Sequence, residues 1–590
     1  MFLRFTTRKK NGKEHRYWSI VENKRCAGGR IVQKPVLYLG EINDQQEATW
    51  QKTIEIFEHG QTLPRTVALF PAERPVEVEG ENVLRIKLSE MELCRPRQWG
   101  ACWLFGQLYS ELGLDQFWKE HLPPSRKGTR WDLILQTLCA YRLIDPGSEW
   151  RLHKQWFEAS AMADLLGEDF SLAEIHKLYE CHDFLLEHKS ALFNHLTQRW
   201  KDLFNAKFDV LLYDLTSSYF ESSPPFGAED KRKFGYSRDK RSDCVQVVIA
   251  RIVTPEGFPL AYEVMAGNTS DRSTLKDFLQ KIETQYGRAQ RIWVMDRGIP
   301  TEATLEQMRK SDPPVLYLVG TPKGRLSKLE ERLRKLDWNQ AREGVDVKIL
   351  EEEGEIYVLA RSADRVSKER AMRRRQLKTL WKRLQELALM ELKRDALLMK
   401  LGAARQQSPS AWRLVKVQLP KGETKFSFTL LKDKLRRVRR REGRYLLRSN
   451  MPERAPKELW EFYLQLGQVE QAFKQLKGDL AIRPIHHQNE PRIEAHIFIA
   501  FLAYGVQVTL GHRLKGLAPG LTARAVLEKM RAIQMIDVHL PTTDGRKVIL
   551  TRYTKPETDQ QMLIEKLKLT LPEQPPPKIT TAQFPPIKPL

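Results

Sequence analysis

The pattern of apolar and polar positions divides the chain into blocks with different secondary structure. Residues 1–90 are basic and β-rich, and RYWSIVENKRCAGGRIVQKPVLYLGEI predicts two strands around a turn at Gly28 and Gly29. Residues 91–204 instead carry apolar side chains at helical spacing, as in ACWLFGQLYSELGLDQFWKEHL and RWDLILQTLCAYRLI. We therefore expect a β-rich N-terminal domain followed by a helical domain.

Strand patterns replace the helical ones from residue 205 onward. FDVLLYDLTSSYF (208–220), VQVVIARIVT and FPLAYEVMAG predict three adjacent antiparallel strands. A helix, the strand RIWVMD, a second helix and the strand VLYLVGT follow. Three antiparallel strands followed by a strand–helix–strand unit are typical of an α/β sheet, and their order is the one expected of a ribonuclease H-like fold. We expect residues 205–321 to be the first part of such a core.

The rest of the chain predicts an interruption of that core and then its completion. Residues 322–443 are highly charged and combine hairpin-like stretches with a long basic helix, so we interpret them as an insertion domain. The remaining predicted segments are the second part of the core (444–515), a C-terminal helix and hairpin region (516–570) and a flexible Pro-rich tail (571–590). The predicted fold class is thus α/β: a ribonuclease H-like mixed sheet with flanking helices, interrupted by a β/helical insertion and preceded by β-rich and helical domains.

Composition adds a polyanionic partner to this picture. The chain has 98 Lys and Arg against 75 Asp and Glu, a formal net charge of +23. An excess of this size favours nucleic acid or, less often, an anionic membrane surface. The six cysteines form no C-x-x-C pair, the N-terminus has no apolar signal core, and the apolar run 497–511 is too short to span a bilayer. We therefore expect a soluble, cytoplasmic protein with no membrane segment.

Three carboxylates on separate predicted elements are candidates for catalysis. Asp214 lies within a strand, Asp296 closes the strand RIWVMD, and Glu470 projects from the flank of an amphipathic helix. Taken singly, each has an ordinary explanation as a cap, a turn residue or half of a surface ion pair. Together they could bind a pair of divalent ions, and hard oxygen ligands suit Mg²⁺ or Mn²⁺.

The same residues lie in stretches that resemble a known family. LLYDLTSSYFES, FGYSRDKRSDCVQVVIARIVTPEGFPLAYEVMAGNTSDRSTL, IWVMDRGI, GRYLLRSN and YLQLGQVEQAFKQLKGDLAIRPIHH are similar to bacterial insertion-sequence transposases of the DDE class, in the branch with a β-rich insertion before the final Glu. The spacings fit as well, because the gap from Asp296 to Glu470 is the longer one, as an insertion domain would produce. The resemblance implies that Asp214, Asp296 and Glu470 are the catalytic triad and bind two Mg²⁺ ions, for which Mn²⁺ can substitute.

The resemblance also implies DNA contacts on the Glu470 helix. The family's helix carries Tyr, two residues, Arg, three residues, Glu, six residues, Lys, and here Tyr463, Glu470 and Lys477 fall on those positions. Tyr463 and Lys477 would contact the backbone of the transposon end, and Lys474 is a further candidate phosphate contact. Leu466 stands where the family has arginine, so that contact is missing or is supplied from elsewhere.

Other candidate DNA contacts are single residues outside that helix. Tyr236 and Arg238 lie in a basic loop that could contact phosphates, with a solvated loop as the alternative, and Arg297 is a candidate phosphate ligand. Trp338 and Trp412 could stack on a flipped base if the enzyme cuts through a hairpin intermediate, or they could be core residues. The other cations of the basic loop are Lys231, Arg232, Lys233, Lys240 and Arg241.

The resemblance implies a DNA transposase that binds terminal inverted repeats, hydrolyses phosphodiester bonds at the element ends and joins the freed 3′-hydroxyls to target DNA. Its expected partner is double-stranded DNA, bound by a homodimer because two ends must be cut in concert. No P-loop pattern suggests a nucleotide cofactor. Two alternatives stay open, a structure-selective nuclease on the same fold and a DNA-binding protein descended from a transposase without catalysis.

Overall fold

The structure is a computed structural model that describes most of the chain between Phe2 and Thr580. The described residues are 2–10, 13–26, 31–40, 85–221, 227, 229–237, 241–269, 275–286, 291–296, 299–321, 329, 331–333, 335–352, 354–451, 453–465, 467 and 474–580.

The secondary structure of the described residues is mixed. The strands are β1 (Phe2–Lys10), β2 (Lys13–Arg25), β3 (Ile31–Gly40), β4 (Glu92–Gln98), β5 (Val210–Phe220), β6 (Val245–Val253), β7 (Pro259–Ala266), β8 (Ile292–Met295), β9 (Leu316–Gly320), β10 (Asn339–Arg342), β11 (Val345–Glu352), β12 (Glu355–Ser362), β13 (Val415–Gln418), β14 (Ser427–Leu430), β15 (Arg444–Ser449), β16 (Gln534–Pro541), β17 (Lys547–Tyr553) and β18 (Lys578–Ile579). The longer helices are α1 (Gly100–Glu111), α2 (Leu114–His121), α3 (Trp131–Ile144), α4 (Ile175–Asp183), α5 (Lys189–Phe204), α6 (Leu275–Tyr286), α7 (Glu302–Lys310), α8 (Ala363–Leu389), α9 (Arg394–Gln407), α10 (Lys432–Arg441), α11 (Pro456–Leu464), α12 (Glu490–Leu517), α13 (Ala523–Met530) and α14 (Thr558–Lys566). Shorter helical turns are Leu88–Glu90, Glu149–Arg151, Leu152–Trp156, Phe157–Ala159, Met162–Leu166, Phe170–Ala173, Leu186–His188 and Pro409–Trp412.

The N-terminal strands form a separate antiparallel sheet in the order β1-β2-β3. β2 and β3 are the two strands predicted on either side of Gly28 and Gly29, and their pairing confirms that prediction. β1 is an additional strand that the sequence analysis did not predict. It pairs with β2 along its whole length, from Phe2 opposite Val21 to Lys10 opposite Lys13.

Nine strands form one large mixed sheet in the order β10-β11-β12-β15-β9-β8-β5-β6-β7. β5, β6 and β7 are antiparallel neighbours, whereas β8 runs parallel to both β5 and β9. In the chain, α6 separates β7 from β8 and α7 separates β8 from β9, as connections between parallel strands require. The predicted mixed α/β class is confirmed.

Both faces of this sheet are covered, by different parts of the chain. Along β5, Leu211, Tyr213 and Leu215 join a core that includes Phe278 of α6. Leu212 belongs to the larger core that contains α12. Successive residues of a strand point to opposite faces, so packing on both sides explains why nearly every residue of β5 and β6 is buried.

The predicted insertion, 322–443, differs from the structure in its first part. β10, β11 and β12 extend the large sheet, and β12 pairs directly with β15. The physical reason is that β12 is buried at each of its first six residues, which a free hairpin could not achieve. Among the described residues of this segment, α8, α9, the turn Pro409–Trp412 and the β13–β14 hairpin share a core of their own.

α12 is the central helix of the main core. It packs against α3, α4 and α1, and its apolar residues lie all around the helix rather than on one stripe. Among the described residues it is the one helix long and apolar enough to cross a membrane, but 89% of its apolar window is buried inside the protein. The predicted core helix is confirmed, although the length argument was wrong because the helix has 28 residues.

The segment predicted to be helical, 91–204, begins with a strand instead. β4 pairs with β16 in a four-stranded sheet of order β18-β17-β16-β4, which joins this segment to the C-terminal region. This strand, ELCRPRQ, has no apolar alternation from which it could be predicted. Its one buried residue is the charged Arg97, which is 1% exposed. Arg97 donates to both carboxylate oxygens of Asp537, at 3.1 and 3.0 Å.

The Pro-rich tail, 571–590, is partly fixed. β18 pairs with β17, and the Thr580 amide donates to the Lys547 carbonyl at 2.9 Å. The Tyr553 hydroxyl donates to the Pro572 carbonyl at 2.5 Å. Prolines lack an amide donor but keep their carbonyls, so a proline-rich segment can still bind a sheet edge through acceptors. The prediction of a flexible tail is therefore wrong for 571–580, and 581–590 lie outside the described residues.

Candidate active site

Two of the three predicted carboxylates lie side by side on neighbouring strands. β5 and β8 are parallel and in register from Val210 opposite Ile292 to Tyr213 opposite Met295. Asp214 of β5 and Asp296, the first residue after β8, directly follow this last pair, and adjacent strands lie about 4.8 Å apart. β8 ends at Met295 while β5 continues, so this pair lies where the parallel part of the sheet stops.

The two aspartates also share one face of the sheet. Leu212 and Val294, two residues before each aspartate, both belong to the core that contains α12. By the alternation along a strand, Asp214 and Asp296 are directed to that same face. Asp214 is half-buried and Asp296 is exposed. Two carboxylates this close repel each other unless a cation binds between or beside them.

Arg251 is a cation next to this pair that the sequence analysis missed. It lies opposite Asp214 in the antiparallel pairing of β5 and β6, is 0% exposed, and stacks 5.3 Å from the ring centroid of Tyr504. Burial lowers the pKa of Arg251 to about 10, against the opposing effects of Tyr504 and Asp214. A single charged residue in the mainly apolar strand VQVVIARIV was the signal, because a buried charge is costly without a partner.

The donor set fits a hard divalent cation. Carboxylate oxygens from two adjacent strands are ligands that Mg²⁺ and Mn²⁺ prefer. One oxygen of Asp214 accepts a hydrogen bond from the Leu215 amide at 2.8 Å. A carboxylate has further lone pairs, so this contact fixes its orientation and still leaves acceptor capacity for a metal ion. Asp214 and Asp296 could therefore both bind such an ion.

Several predicted site residues lie outside the described part of the chain: Glu470, Arg297, Arg238 and Leu466. The segments that flank 468–473 are described, and both pack on the core that covers the Asp214 face. On one side Tyr463 of α11 is half-buried, with its ring 6.0 Å from that of Tyr445. On the other side Leu476 and Leu480 are buried in the core that contains Leu212 and Val294.

The predicted DNA-contacting side chains differ in exposure. Tyr236 is 85% exposed and Lys474 is exposed, whereas Lys477 is half-buried. An exposed aromatic residue in a basic loop could stack on a base or a sugar. These exposures are compatible with the predicted contacts, which stay predictions.

Part of the basic loop is engaged within the protein instead. Arg232 is 6% exposed and pairs with Asp230 at 2.6 Å. Lys231 lies 3.3 Å from a carboxylate oxygen of Glu490, at the start of α12. Arg241 pairs with Asp243 at 2.9 Å. Arg232 also donates to Gln488 at 2.7 Å, so Arg232 and Lys231 join the loop to the region where α12 begins, whereas the Arg241 pair is local. All three cations already have acidic partners and are poorer candidates for phosphate contact than the sequence suggested.

The two candidate base-stacking tryptophans have different surroundings. The ring of Trp338 is flanked by Arg361 at 4.6 Å, Lys348 at 4.9 Å and Arg444 at 5.6 Å. Trp412 packs against the core formed by α8, α9 and the β13–β14 hairpin. Trp338 therefore lies in a cationic setting on the large sheet, and Trp412 has the contacts of a core residue.

Comparison with known protein families identifies the family of the chain. Residues 205–506 match the family described as transposase DDE domain, and residues 3–60 match the N-terminal domain of the IS1634 family transposases. The first match spans more than half of the chain and contains Asp214, Asp296 and Glu470. The chain belongs to the DDE transposases of insertion sequences.

Two further comparisons add little to this family assignment. A search of curated protein sequences found no match. A solved structure similar to this chain is a piggyBac transposase synaptic complex with hairpin DNA, with 10% identity and a TM-score of 0.34, covering 73% of this chain and 78% of that one.

Proposed function

We propose that the chain cuts DNA at the ends of an insertion sequence and joins the freed ends to target DNA, with Asp214 and Asp296 at the centre of its active site. The observation that carries this proposal is the register of β5 and β8, which makes these two aspartates neighbours on one face. The family match covers both residues, and transposases of this family use divalent metal ions. The excess of positive charge suits a DNA substrate.

We infer that β5 to β9, with α6 and α7, form a ribonuclease H-like core. The order β7-β6-β5-β8-β9, with three antiparallel strands followed by two parallel ones, supports this. In such a sheet, ligands collect at the ends of the parallel strands, and Asp296 immediately follows the end of β8. β10, β11, β12 and β15 then extend the same sheet beyond β9.

Glu470 is proposed as the third carboxylate of the site. Its place after Asp296, beyond the long charged stretch of the chain, fits the family order. The segments before and after it pack on the core that covers the Asp214 face. A third carboxylate would complete an oxygen-rich site suited to two Mg²⁺ ions, with Mn²⁺ able to substitute.

In the proposed mechanism, the protein holds the metal ligands and the scissile phosphate in one arrangement. Bound divalent ions would activate the attacking water or 3′-hydroxyl and stabilise the leaving oxygen. Asp214 and Asp296 hold their carboxylates at adjacent positions, and the Leu215 amide orients that of Asp214. The buried charge of Arg251 lies beside Asp214 and lowers the repulsion between the two carboxylates before DNA binds.

DNA recognition is proposed to extend beyond the active site. The DNA backbone near the scissile phosphate would be contacted by Tyr463, Lys477, Lys474 and Arg297. The sheet of β1–β3 and the helical segment would recognise the terminal inverted repeats. Two chains would hold two ends together as a homodimer, acting in the bacterial cytoplasm on nucleoid DNA.

The phosphate contact of Lys477 gives a prediction for binding. Lys477→Ala is expected to weaken binding to the element end about equally for all sequences, and to reduce the slope of log affinity against log salt by about 0.9. Fluorescence anisotropy over a salt series measures this slope. Lys310→Ala is the control, since Lys310 is 75% exposed in its side chain and pairs with Glu306 on α7. An unchanged slope in Lys477→Ala would exclude a phosphate contact there.

Joining of DNA ends tests the proposal against its rivals. The purified chain, Mg²⁺ and a labelled duplex carrying the inverted repeat that flanks the gene are expected to give cleavage at the element end. With pre-cleaved ends and a plasmid target, joined products are expected on a sequencing gel. Cleavage without joining would identify a structure-selective nuclease. Specific binding without cleavage in Mg²⁺ or Mn²⁺ would identify a DNA-binding protein that has lost catalysis.

A further inference from the structure

A buried cluster away from the candidate active site surrounds the carboxylate of Glu149. Around its oxygen Oε1 lie His487 Nε2 at 3.3 Å, His182 Nε2 at 3.5 Å, His496 Nδ1 at 3.6 Å and Arg142 Nη2 at 3.8 Å. Each of these five side chains is at most 5% exposed. They come from α3, the turn Glu149–Arg151, α4, the segment before α12, and α12 itself.

The hydrogen bonding of His182 leaves a lone pair directed at Glu149. Its Nδ1 lies 2.8 Å from the Leu178 carbonyl, and a carbonyl only accepts, so Nδ1 carries the proton. In the neutral ring, Nε2 is then an acceptor, and it has no hydrogen-bond partner among the described residues. A buried acceptor that faces a carboxylate at 3.5 Å needs a proton or a cation between the two atoms.

Arg142 does not supply that cation to His182. Its Nη1 donates to the Ala481 carbonyl at 3.2 Å, and its Nη2 lies 3.3 Å from His496 Nδ1. Its distance to Glu149 is too long for a hydrogen bond. Arg142 therefore orients His496 and partly balances the charge of Glu149. A metal-free cluster would need a proton on His182 or His487 in addition.

We propose that Glu149, His182 and His487 bind one divalent transition-metal ion of the zinc class. Their three ligand atoms lie within 4.8 Å of one another. Tetrahedral ligands at Zn–N and Zn–O distances of about 2.0–2.1 Å are separated by about 3.3–3.4 Å, close to the spacings of both histidines from Glu149. Two histidines and one carboxylate are a common zinc ligand set, and the Nδ1–H of His182 bound to a carbonyl is the second contact that metal-ligating histidines usually make.

The ion would have a structural role. His487 follows the segment of Glu470 in the chain and precedes α12, so the site would tie the stretch after the candidate catalytic helix to α4 and to the turn after α3. Metal binding to a folded site adds directly to the stability of the fold. This inference does not depend on the proposed chemistry of Asp214 and Asp296.

Metal content of the tag-free protein tests the proposal. After growth with added Zn²⁺ and gel filtration in metal-free buffer, mass spectrometry of the elements is expected to find about one zinc per chain. His182→Asn is expected to lose it. His176→Asn, an exposed histidine on the same helix, is expected to keep it. Asp214→Asn/Asp296→Asn is also expected to keep it, which separates this ion from the catalytic ones.

The coordination shell gives a second measurement that needs no variant. A second group, the exposed Glu92 with the half-buried Cys94 and His539, could also hold an ion, and it would place sulfur next to the metal. X-ray absorption of the zinc-loaded wild type is expected to show a shell of nitrogen and oxygen alone. A sulfur ligand, loss of zinc in His539→Asn, retention of zinc in a folded His182→Asn, or a wild type without bound metal would each overturn the proposal.

Discussion

Asp214→Asn and Asp296→Asn are each expected to lower the rate of end cleavage by at least about 10³-fold while the protein still binds the element end. Each change removes one negative oxygen from the pair formed by β5 and β8 and so weakens the binding of a catalytic metal ion. Metal ions contribute several kcal/mol of stabilisation to such transition states, and each 1.4 kcal/mol changes the rate about tenfold. Single-turnover cleavage of a labelled duplex measures the rate, and a gel-shift assay measures binding.

Asp209→Asn is a matched control for this experiment, because Asp209 is exposed just before β5 and its backbone carbonyl, not its side chain, accepts from Ile292. It is expected to cleave at the wild-type rate. Glu470→Gln is expected to behave like the two aspartate variants. Cleavage within tenfold of wild type in any of the three would remove that residue from the proposed triad. A loss of end binding together with cleavage would point to a damaged fold instead.

The site could be predicted from the sequence only in part, for a physical reason. Asp214 was singled out because a carboxylate within a strand is costly to bury, and Asp296 because it closes a strand, where ligands of such sheets collect. Their adjacency is fixed by the pairing of two strands that are far apart in the chain, which no local pattern contains. Arg251 was missed because its partner across the sheet is known only once the register of β5 and β6 is known.

The buried histidine cluster was even harder to predict from the sequence. Glu149, His182 and His487 are far apart in sequence, and no two of them stand at a short metal-ligand spacing. Their side chains meet because α3, α4 and α12 pack together, which depends on the core of the whole helical region. The metal site therefore could not be predicted from the sequence, although each histidine taken singly is an ordinary candidate ligand.

For the fold, apolar strands and helices were predictable and the polar ones were not. The strands from β5 to β9 follow apolar runs with turns between them, and the structure has them in the predicted order. β4 was missed because its inward residue is Arg97. β10 to β12 were assigned to a separate body because their sheet neighbour, β15, follows in the chain only after α8, α9 and α10. In both cases, the place of the strand in the fold depends on pairing with a strand that is distant in the chain.

The buried charge at β4 leads to the second large effect. Arg97→Met is expected to destabilise the sheet of β4 and β16 by about 3–5 kcal/mol, since it leaves a buried carboxylate without its partner. Arg97 donates twice to Asp537, twice to Asp164 at 2.7 and 3.1 Å, and once to the Arg95 carbonyl at 2.8 Å. Hydrogen exchange is expected to speed up about 10²- to 4 × 10³-fold in peptides covering 92–98 and 534–541, because each 1.4 kcal/mol is a factor of about ten.

Arg95→Met is the matched control, since Arg95 contacts the same Asp537 at 3.1 Å but is 54% exposed in its side chain. Because the Arg95 guanidinium is exposed to water, its pair with Asp537 is expected to contribute about 1 kcal/mol or less, so protection of β4 and β16 should change little.

Acid distinguishes the mechanism further. Burial raises the pKa of Asp537, but the contacts with Arg97 and Thr551 lower it below its ordinary value. The wild type therefore has this stabilisation above the pKa of unfolded Asp and loses it as the pH falls through the lower folded pKa. Without Arg97, the effect of burial is opposed only by Thr551 and Arg95, so the pKa of Asp537 should rise above its wild-type value and the difference between wild type and Arg97→Met should shrink in acid. A difference that is constant with pH would mean that lost packing, not the buried charge pair, causes the destabilisation.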